Sequence, residues 1–247
     1  MMRLEINDLS VRRGSRLTVD HASLSAGPGE FIGLIGPNGA GKTSLMRAAL
    51  GLIPASGISS LAALAPGRRA LTAAWLPQTR EAAWPITAEA LIRLGRIPQA
   101  RPDADPARIE AAMTRMDVTH LRARPVTELS GGEQARVLIA RALAQDTPIL
   151  MADEPIAGLD PAHQIGAMNS FRALAEDGRL VIASLHDLGL AARSCTRLVL
   201  MNEGRVVADG PPAQVLTPAL LAQVFGIEGY IGQTPDGPVF QILRLTR

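Results

Sequence analysis

The sequence predicts an α/β protein built around a mostly parallel sheet, and three observations carry that prediction. Phe31-Ile32-Gly33-Leu34-Ile35 is an apolar run of strand length that passes into a glycine-rich stretch and then into a helical pattern from Lys42 to Leu50. Residues 148–152 form a second continuous apolar run and residues 180–185 a third, as expected of strands buried on both faces. Helical patterns separate these runs.

Taken in order, residues 4–11 and 17–24 read as strands, with Gly27-Pro28-Gly29 turning the chain into 31–35. Gly51 is a stop for the helix that begins at Lys42. A strand at 73–76 ends at Pro77-Gln78. Residues 86–126 are expected to be mostly helical, with breaks at Pro98, Pro102 and Pro106. Leu129-Ser130-Gly131-Gly132 leads into a helix to Leu143, and a further helix covers about 162–175. Short strands at 197–202 and 205–208 and two short helices lead to Phe225, and a small hairpin follows. No internal repeat or low-complexity linker is visible.

A chain of 247 residues is long for one domain and short for two, so one α/β unit with a subdomain is the expectation. Its 47% hydrophobic and 19% charged content suits a folded chain with a sizeable core. The net charge of +2 argues against a nucleic-acid partner, because phosphate-tracking surfaces need dense Lys/Arg stripes. The single cysteine, Cys195, excludes an internal disulfide framework and fits a reducing compartment. The N-terminal stretch lacks the apolar segment of a signal peptide, and no run approaches the roughly 18 apolar residues of a membrane span. A cytosolic chain, or one on the cytosolic side of a membrane, is expected.

Gly36-Pro37-Asn38-Gly39-Ala40-Gly41-Lys42-Thr43 fits G-x-x-x-x-G-K-[ST], the pattern of a loop that wraps nucleotide phosphates. Lys42 is the only lysine in a chain whose other basic residues are all arginine. A compact ammonium on a thin stem fits inside a tight ring of backbone amides, where a planar guanidinium does not. Strand, glycine loop and helix in that order also aim the positive end of the helix dipole at the phosphates.

A magnesium nucleotide site needs a hydroxyl and a carboxylate for the metal, and hydrolysis needs a base to orient water. Thr43 supplies the hydroxyl. Asp153 ends a buried strand, where open parallel sheets place their ligands, and Glu154 points elsewhere and is assigned to the attacking water. Ser130 is a helix cap, and Gly131-Gly132 leave backbone amides facing outward, which makes a second anion site.

The series GPNGAGKT (36–43), LPQ (76–78), LSGGEQ (129–134), ILMADEP (149–155), AGLDP (157–161) and SLHD (184–187) resembles the ABC-type ATPases, the nucleotide-binding subunits of ABC transporters. The motifs stand in family order and cover nearly the whole chain. The resemblance implies a single ATPase domain over 1–247. It would have a P-loop NTPase core with a mostly parallel sheet, an N-terminal antiparallel β subdomain, and an inserted helical subdomain at about 80–145. It further implies that residues Gly36, Pro37, Asn38, Gly39, Ala40, Gly41, Lys42, Thr43 and Ser44 bind ATP, with Thr43 on Mg²⁺. Gln78 would contact metal and attacking water, Asp153 would hold Mg²⁺, Glu154 would be the general base, and His186 would touch the γ-phosphate. Ser130, Gly131, Gly132 and Glu133 would act in trans on ATP held by a second copy, with Asp160 across the same interface. Two anion sites on one chain and one nucleotide that needs both are satisfied by a head-to-tail homodimer.

Two positions depart from the family pattern. An aromatic residue that stacks on adenine is common near the second strand, and here the segment is Val11-Arg12-Arg13-Gly14, so Arg13 is the candidate for stacking. Ile156 stands where a hydroxyl residue is frequent before the Gly-Leu-Asp turn.

Residues 84–98, Ala142-Leu143-Ala144-Gln145 and 221–227 are similar to the iron-siderophore, haem and cobalamin importer group. That likeness implies an integral membrane permease as partner, a periplasmic or extracellular solute-binding protein acting through it, and a peripheral place on the cytoplasmic face of the cell membrane. Trp84 and its neighbours are expected to line the groove that receives a permease helix. Another importer, an exporter, or a soluble ATPase acting on nucleic acid or ribosomes are the alternatives. About fifty residues separate Gln78 from Ser130, too few for the long insertions of the DNA-repair relatives.

Overall fold

The computed structural model describes residues 3–78, 85–99, 105–235 and 237–246. Its centre is a six-stranded sheet in the order β5-β6-β7-β3-β8-β9. These strands are β3 (Phe31–Ile35), β5 (Ala73–Leu76), β6 (Ile149–Ala152), β7 (Leu180–Ser184), β8 (Arg197–Asn202) and β9 (Arg205–Gly210). The first five run parallel, and β9 returns antiparallel along β8. Every residue of β3, β6 and β7 is buried, so the unbroken apolar runs in the sequence reflect a sheet covered on both faces.

The two covering layers follow from the period-2 alternation of a strand. Phe31 and Ile35 face one apolar cluster with the helices α5 (Gly131–Ala144), α6 (Pro161–Glu176) and α7 (Leu188–Ser194). Ile32 and Leu34 face the other, with α1 (Lys42–Ala49) and the strands β1 (Leu4–Arg13) and β2 (Arg16–Ala26). Gly33 lies on the first face, where a Cβ would come within 2.7 Å of Leu198 and 2.8 Å of the Cys195 sulfur. Any larger residue there would require the Leu198 and Cys195 side chains to shift.

β1, β2 and β4 (Ser56–Ser59) form the expected antiparallel subsheet in the order β2-β1-β4. The helical segment consists of α3 (Ala88–Arg93), a 3₁₀ stretch over Leu94–Gln99, α4 (Pro106–Arg115) and α5. α3 and α4 both pack on α5. The C-terminal hairpin is β10 (Ile227–Thr234) with β11 (Gly237–Leu245), which lies against α7.

The helical segment differs from the sequence expectation in detail. Pro106 starts α4 instead of breaking a helix, since a first-turn N–H has no intrahelical partner to lose. Pro98 lies inside the 3₁₀ stretch, which brings Gly95 against α5; a Cβ there would sit 2.2 Å from the Arg141 carbonyl oxygen. Arg96 then donates to the Ala144 carbonyl at 2.9 Å, satisfying the end of α5. Pro102 and Trp84 lie outside the described residues. β4, α2 (Pro66–Thr72) and α7 were not visible in the sequence pattern. They are short, and β4 contains Gly57 with positive φ.

Candidate nucleotide-hydrolysis site

Four strands that are neighbours in the sheet end at the site. β5 leads to Gln78, β6 to Asp153 and Glu154, β7 to His186, and β3 to the glycine loop. The carboxyl ends of a parallel sheet therefore gather residues more than a hundred positions apart.

The loop is shaped by glycines in conformations closed to other residues. Gly36 has φ +144°, and a Cβ on it would meet the Met201 carbonyl oxygen at 2.1 Å. Gly41, the cap of α1, has φ +103° and would meet the Thr18 carbonyl oxygen at 2.2 Å. With no side chain capping the first turn of α1, its amides are left for an anion. Lys42 is 6% exposed and its ammonium donates to the Gly36 and Pro37 carbonyls at 2.7 and 3.0 Å. Burial lowers its pKa, and the charges of Glu154 and Asp153 pull it back up.

Asp153 is 1% exposed, and its Oδ1 accepts from the Ser184 hydroxyl at 2.6 Å. Its Oδ2 is buried with no hydrogen-bond partner among the described residues. A buried carboxylate oxygen without a donor suits a hydrated cation, and the Thr43 hydroxyl at the start of α1 adds a second hard oxygen. The donor set therefore fits Mg²⁺.

Glu154 holds φ +47°, unusual for a residue with a side chain, and its N–H donates to the Ser184 oxygen at 2.8 Å. Its Oε2 accepts from the Gln78 amide at 2.8 Å, and its Oε1 lies 2.6 Å from His186 Nε2. All three residues predicted to be catalytic thus meet in one cluster. Beside them is an open cleft lined by Arg13, Arg16, Thr18, the stretch from Asn38 to Ser44, Gln78 and Glu154.

The profile of the ABC transporter family matches residues 19–157. The chain belongs to that family. The hemin import ATP-binding protein HmuV of Nocardia farcinica is 44% identical to this ABC ATPase over 227 residues, 87% of this chain and 79% of that protein. The cobalamin import ATP-binding protein BtuD of Halobacterium salinarum is 40% identical over 247 residues, 95% of this chain but 61% of that protein. A solved structure described as a metal-chelate type ABC transporter in an inward-facing conformation has the same fold. It superposes with a TM-score of 0.83 at 22% identity, over 99% of this chain and 98% of that one.

Other predicted residues of the ABC ATPase lie away from this cluster. Ser130 begins α5 with a reciprocal capping box: its hydroxyl accepts from the Glu133 N–H, and its own N–H donates to Glu133 Oε2 at 2.8 Å. The Ser130 backbone N–H, and then its hydroxyl, hold the Glu133 carboxyl below its usual range. Ser130 and Gly131 are exposed. Asp160 caps α6, accepting from the His163 N–H at 3.0 Å, and that bond followed by the His163 ring lowers its pKa. None of these lines the cleft described above.

Ile156 is 6% exposed and packs into the larger apolar cluster, so the departure from a hydroxyl at that position is accommodated by core packing. Sequence reasoning missed Ser184 and Arg16. For Ser184 the signal was a hydroxyl at the end of an otherwise apolar strand; Arg16 comes beside Arg13 through the cross-strand pairing, for which the sequence carried no signal. Among the described residues no helix is long and apolar enough to cross a membrane.

Proposed function

We infer that this chain is the ATP-hydrolysing subunit of an importer that carries a metal chelate of the haem, cobalamin or iron-siderophore class across the cell membrane. The observation that carries the chemistry is the cluster of Glu154 with Gln78 and His186, tied through Ser184 to Asp153, beside the Lys42 loop. The names of the HmuV and BtuD relatives support the cargo class.

In this reading the loop amides and Lys42 hold the β- and γ-phosphates of ATP, and Arg13 stacks its guanidinium on the adenine ring. Thr43 and Asp153 hold Mg²⁺, which neutralises charge on the phosphate oxygens when bound. Glu154 accepts a proton from water as the water oxygen attacks the γ-phosphorus. The bond from that phosphorus to the bridging oxygen breaks, leaving ADP and inorganic phosphate. His186 orients Glu154 and reaches the γ-phosphate, and Gln78 passes the state of the site to the permease side.

The cap Ser130-Gly131-Gly132, whose first two residues are exposed, closes on ATP held by a second copy, with Asp160 at the same interface. One nucleotide then joins two protomers, and hydrolysis parts them. The helical segment forms a subdomain of the single ATPase domain and faces integral membrane permease subunits from the cytoplasmic side. An external solute-binding protein delivers the chelate.

The test is a pull-down of tagged Glu154→Gln held with ATP in mild detergent. A polytopic permease should come with it, and the wild-type complex should hydrolyse ATP faster when a solute-binding protein loaded with haem, cobalamin or a ferric siderophore is added. Ribosomes or nucleic acid in its place would end the transport reading.

A further inference from the structure

Ser184 is a fully buried hydroxyl at the last position of β7. It donates to Asp153 Oδ1 at 2.6 Å and accepts from the Glu154 N–H at 2.8 Å. A hydroxyl has one proton to give. With the Glu154 amide pointing at its oxygen, that proton is directed at Asp153 and the chain of bonds runs one way only.

Two consequences follow for the neighbouring carboxylates. Ser184 occupies one oxygen of Asp153, and the other, Oδ2, is the buried one with no partner among the described residues. Asp153 therefore cannot rotate to present its oxygens interchangeably. Ser184 also anchors the peptide of Glu154 in a left-handed conformation, φ +47°, that persists only where surroundings hold it. That conformation turns the Glu154 carboxylate toward Gln78 and His186.

We propose that Ser184 is a positioning residue that sets the metal-holding carboxylate of Asp153 and the water-activating carboxylate of Glu154 relative to one another. It acts through both and contacts neither phosphate nor water. The proposal rests on the roles given to Asp153 and Glu154 above. With alanine at 184, Asp153 Oδ1 loses its donor and the Glu154 peptide loses its anchor. A misplacement of about 1 Å is enough to cost roughly 10²-fold in rate.

The test uses the full chain as Ser184→Ala, Ser184→Thr and, in parallel, Glu154→Gln. Four quantities are read: kcat, metal-free ATP affinity by fluorescent-nucleotide titration in EDTA, the Mg²⁺ concentration that half-saturates the gain in nucleotide affinity, and the melting temperature. Ser184→Ala should lower kcat roughly 10- to 100-fold and raise the Mg²⁺ midpoint. Its metal-free ATP affinity should not change, since Lys42 and the loop are untouched. Ser184→Thr keeps the hydroxyl and should recover most of both losses. An unchanged kcat and Mg²⁺ midpoint in Ser184→Ala would overturn the proposal. So would a loss matched by metal-free affinity and melting temperature together, which marks general damage. Glu154→Gln hydrolysing at the wild-type rate would instead defeat the Glu154 assignment, while the Mg²⁺ midpoint of Ser184→Ala would still report on Asp153.

Discussion

His186 Nε2 lies 2.6 Å from Glu154 Oε1, and this contact joins the ends of two adjacent parallel strands. An ionised carboxylate only accepts, so the imidazole carries its proton on Nε2 when it serves Glu154. The second Glu154 oxygen accepts from Gln78. Each carboxylate oxygen can accept more than one hydrogen bond, so a water can take its place beside Glu154 while both donors stay bound.

Glu154→Gln keeps the shape of this cluster, but it turns one of the two accepting oxygens into a donor and removes the proton acceptor. ATP binding should survive and hydrolysis should slow by ~10²–10⁴-fold, the usual contribution of a general base. The variant should also run as an ATP-dependent dimer on a sizing column. A monomer under saturating ATP and Mg²⁺ would defeat the sandwich arrangement.

Lys42→Arg tests the fit of a point charge. The ammonium is 6% exposed and is held by two carbonyls of its own loop, a space closed to a planar fork. ATP affinity, measured by nucleotide titration, should fall nearly as far in Lys42→Arg as in Lys42→Ala. An arginine variant that binds ATP normally would show that charge alone suffices.

Two glycines of the loop should respond differently to alanine. Gly39 has φ +79° with open space around its absent Cβ, so alanine there meets backbone strain of about 1–2 kcal/mol and no collision. Gly41 has φ +103° and its Cβ would enter the Thr18 carbonyl at 2.2 Å, where backbone must move. Thermal melting should therefore show Gly39→Ala mildly destabilised and Gly41→Ala destabilised much further. Equal melting of the two would mean that the loop relaxes away from β2.

Much of this was legible in the sequence for a physical reason. A parallel sheet covered on both faces writes its strands as unbroken apolar runs, and β3, β6 and β7 stood out on that signal alone. The residues that follow such runs fall at the carboxyl edge of the sheet, so Asp153, Glu154 and His186 were readable once the strands were. Contacts across strands were not. The Ser184 link needs the register that sets Ala152 opposite Ala183, which no single strand encodes. Short elements also escaped: β4 and α2 hold too few residues to show a period. Pro106 misled because its cost in a helix interior vanishes at the first turn.

Cys195 is a buried probe of folding. It is 6% exposed against β3, and burial pushes its thiol pKa well above the ordinary value near 9. Since the thiolate is the reactive form, iodoacetamide at pH 8 should label it only when the chain opens, at a rate that rises with denaturant. The linkage sign follows from the raised pKa. Above about pH 9 the unfolded thiol ionises while the folded one keeps its proton, so this contribution is present below pH 9 and is lost as pH rises. Cys195→Ala should flatten that alkaline decline, which denaturant melts between pH 8 and 10 would measure. Rapid labelling of the native chain would place the thiol at the surface.

The trans role of the α5 cap predicts complementation between two dead proteins. Lys42→Ala disables the loop but leaves Ser130 intact, whereas Ser130→Arg blocks the cap and leaves Lys42 intact. Ser130→Arg removes a hydroxyl that, among the described residues, serves the exposed capping box, so the cost to folding should be about 1 kcal/mol, the usual value of a cap. In a homodimer of either variant both composite sites are defective. In a mixed dimer, the loop of the Ser130→Arg protomer faces the cap of the Lys42→Ala protomer, and one complete site is restored. Mixing the two should thus produce ATPase activity that neither has alone, rising with the product of their concentrations until dimers saturate. If the mixture stays as inactive as its parts, Ser130 either serves its own nucleotide or one site cannot turn over without the other. A tandem fusion carrying a single Lys42→Ala half separates these cases: hydrolysis by that fusion, with the mixture still inactive, leaves only the cis assignment of Ser130.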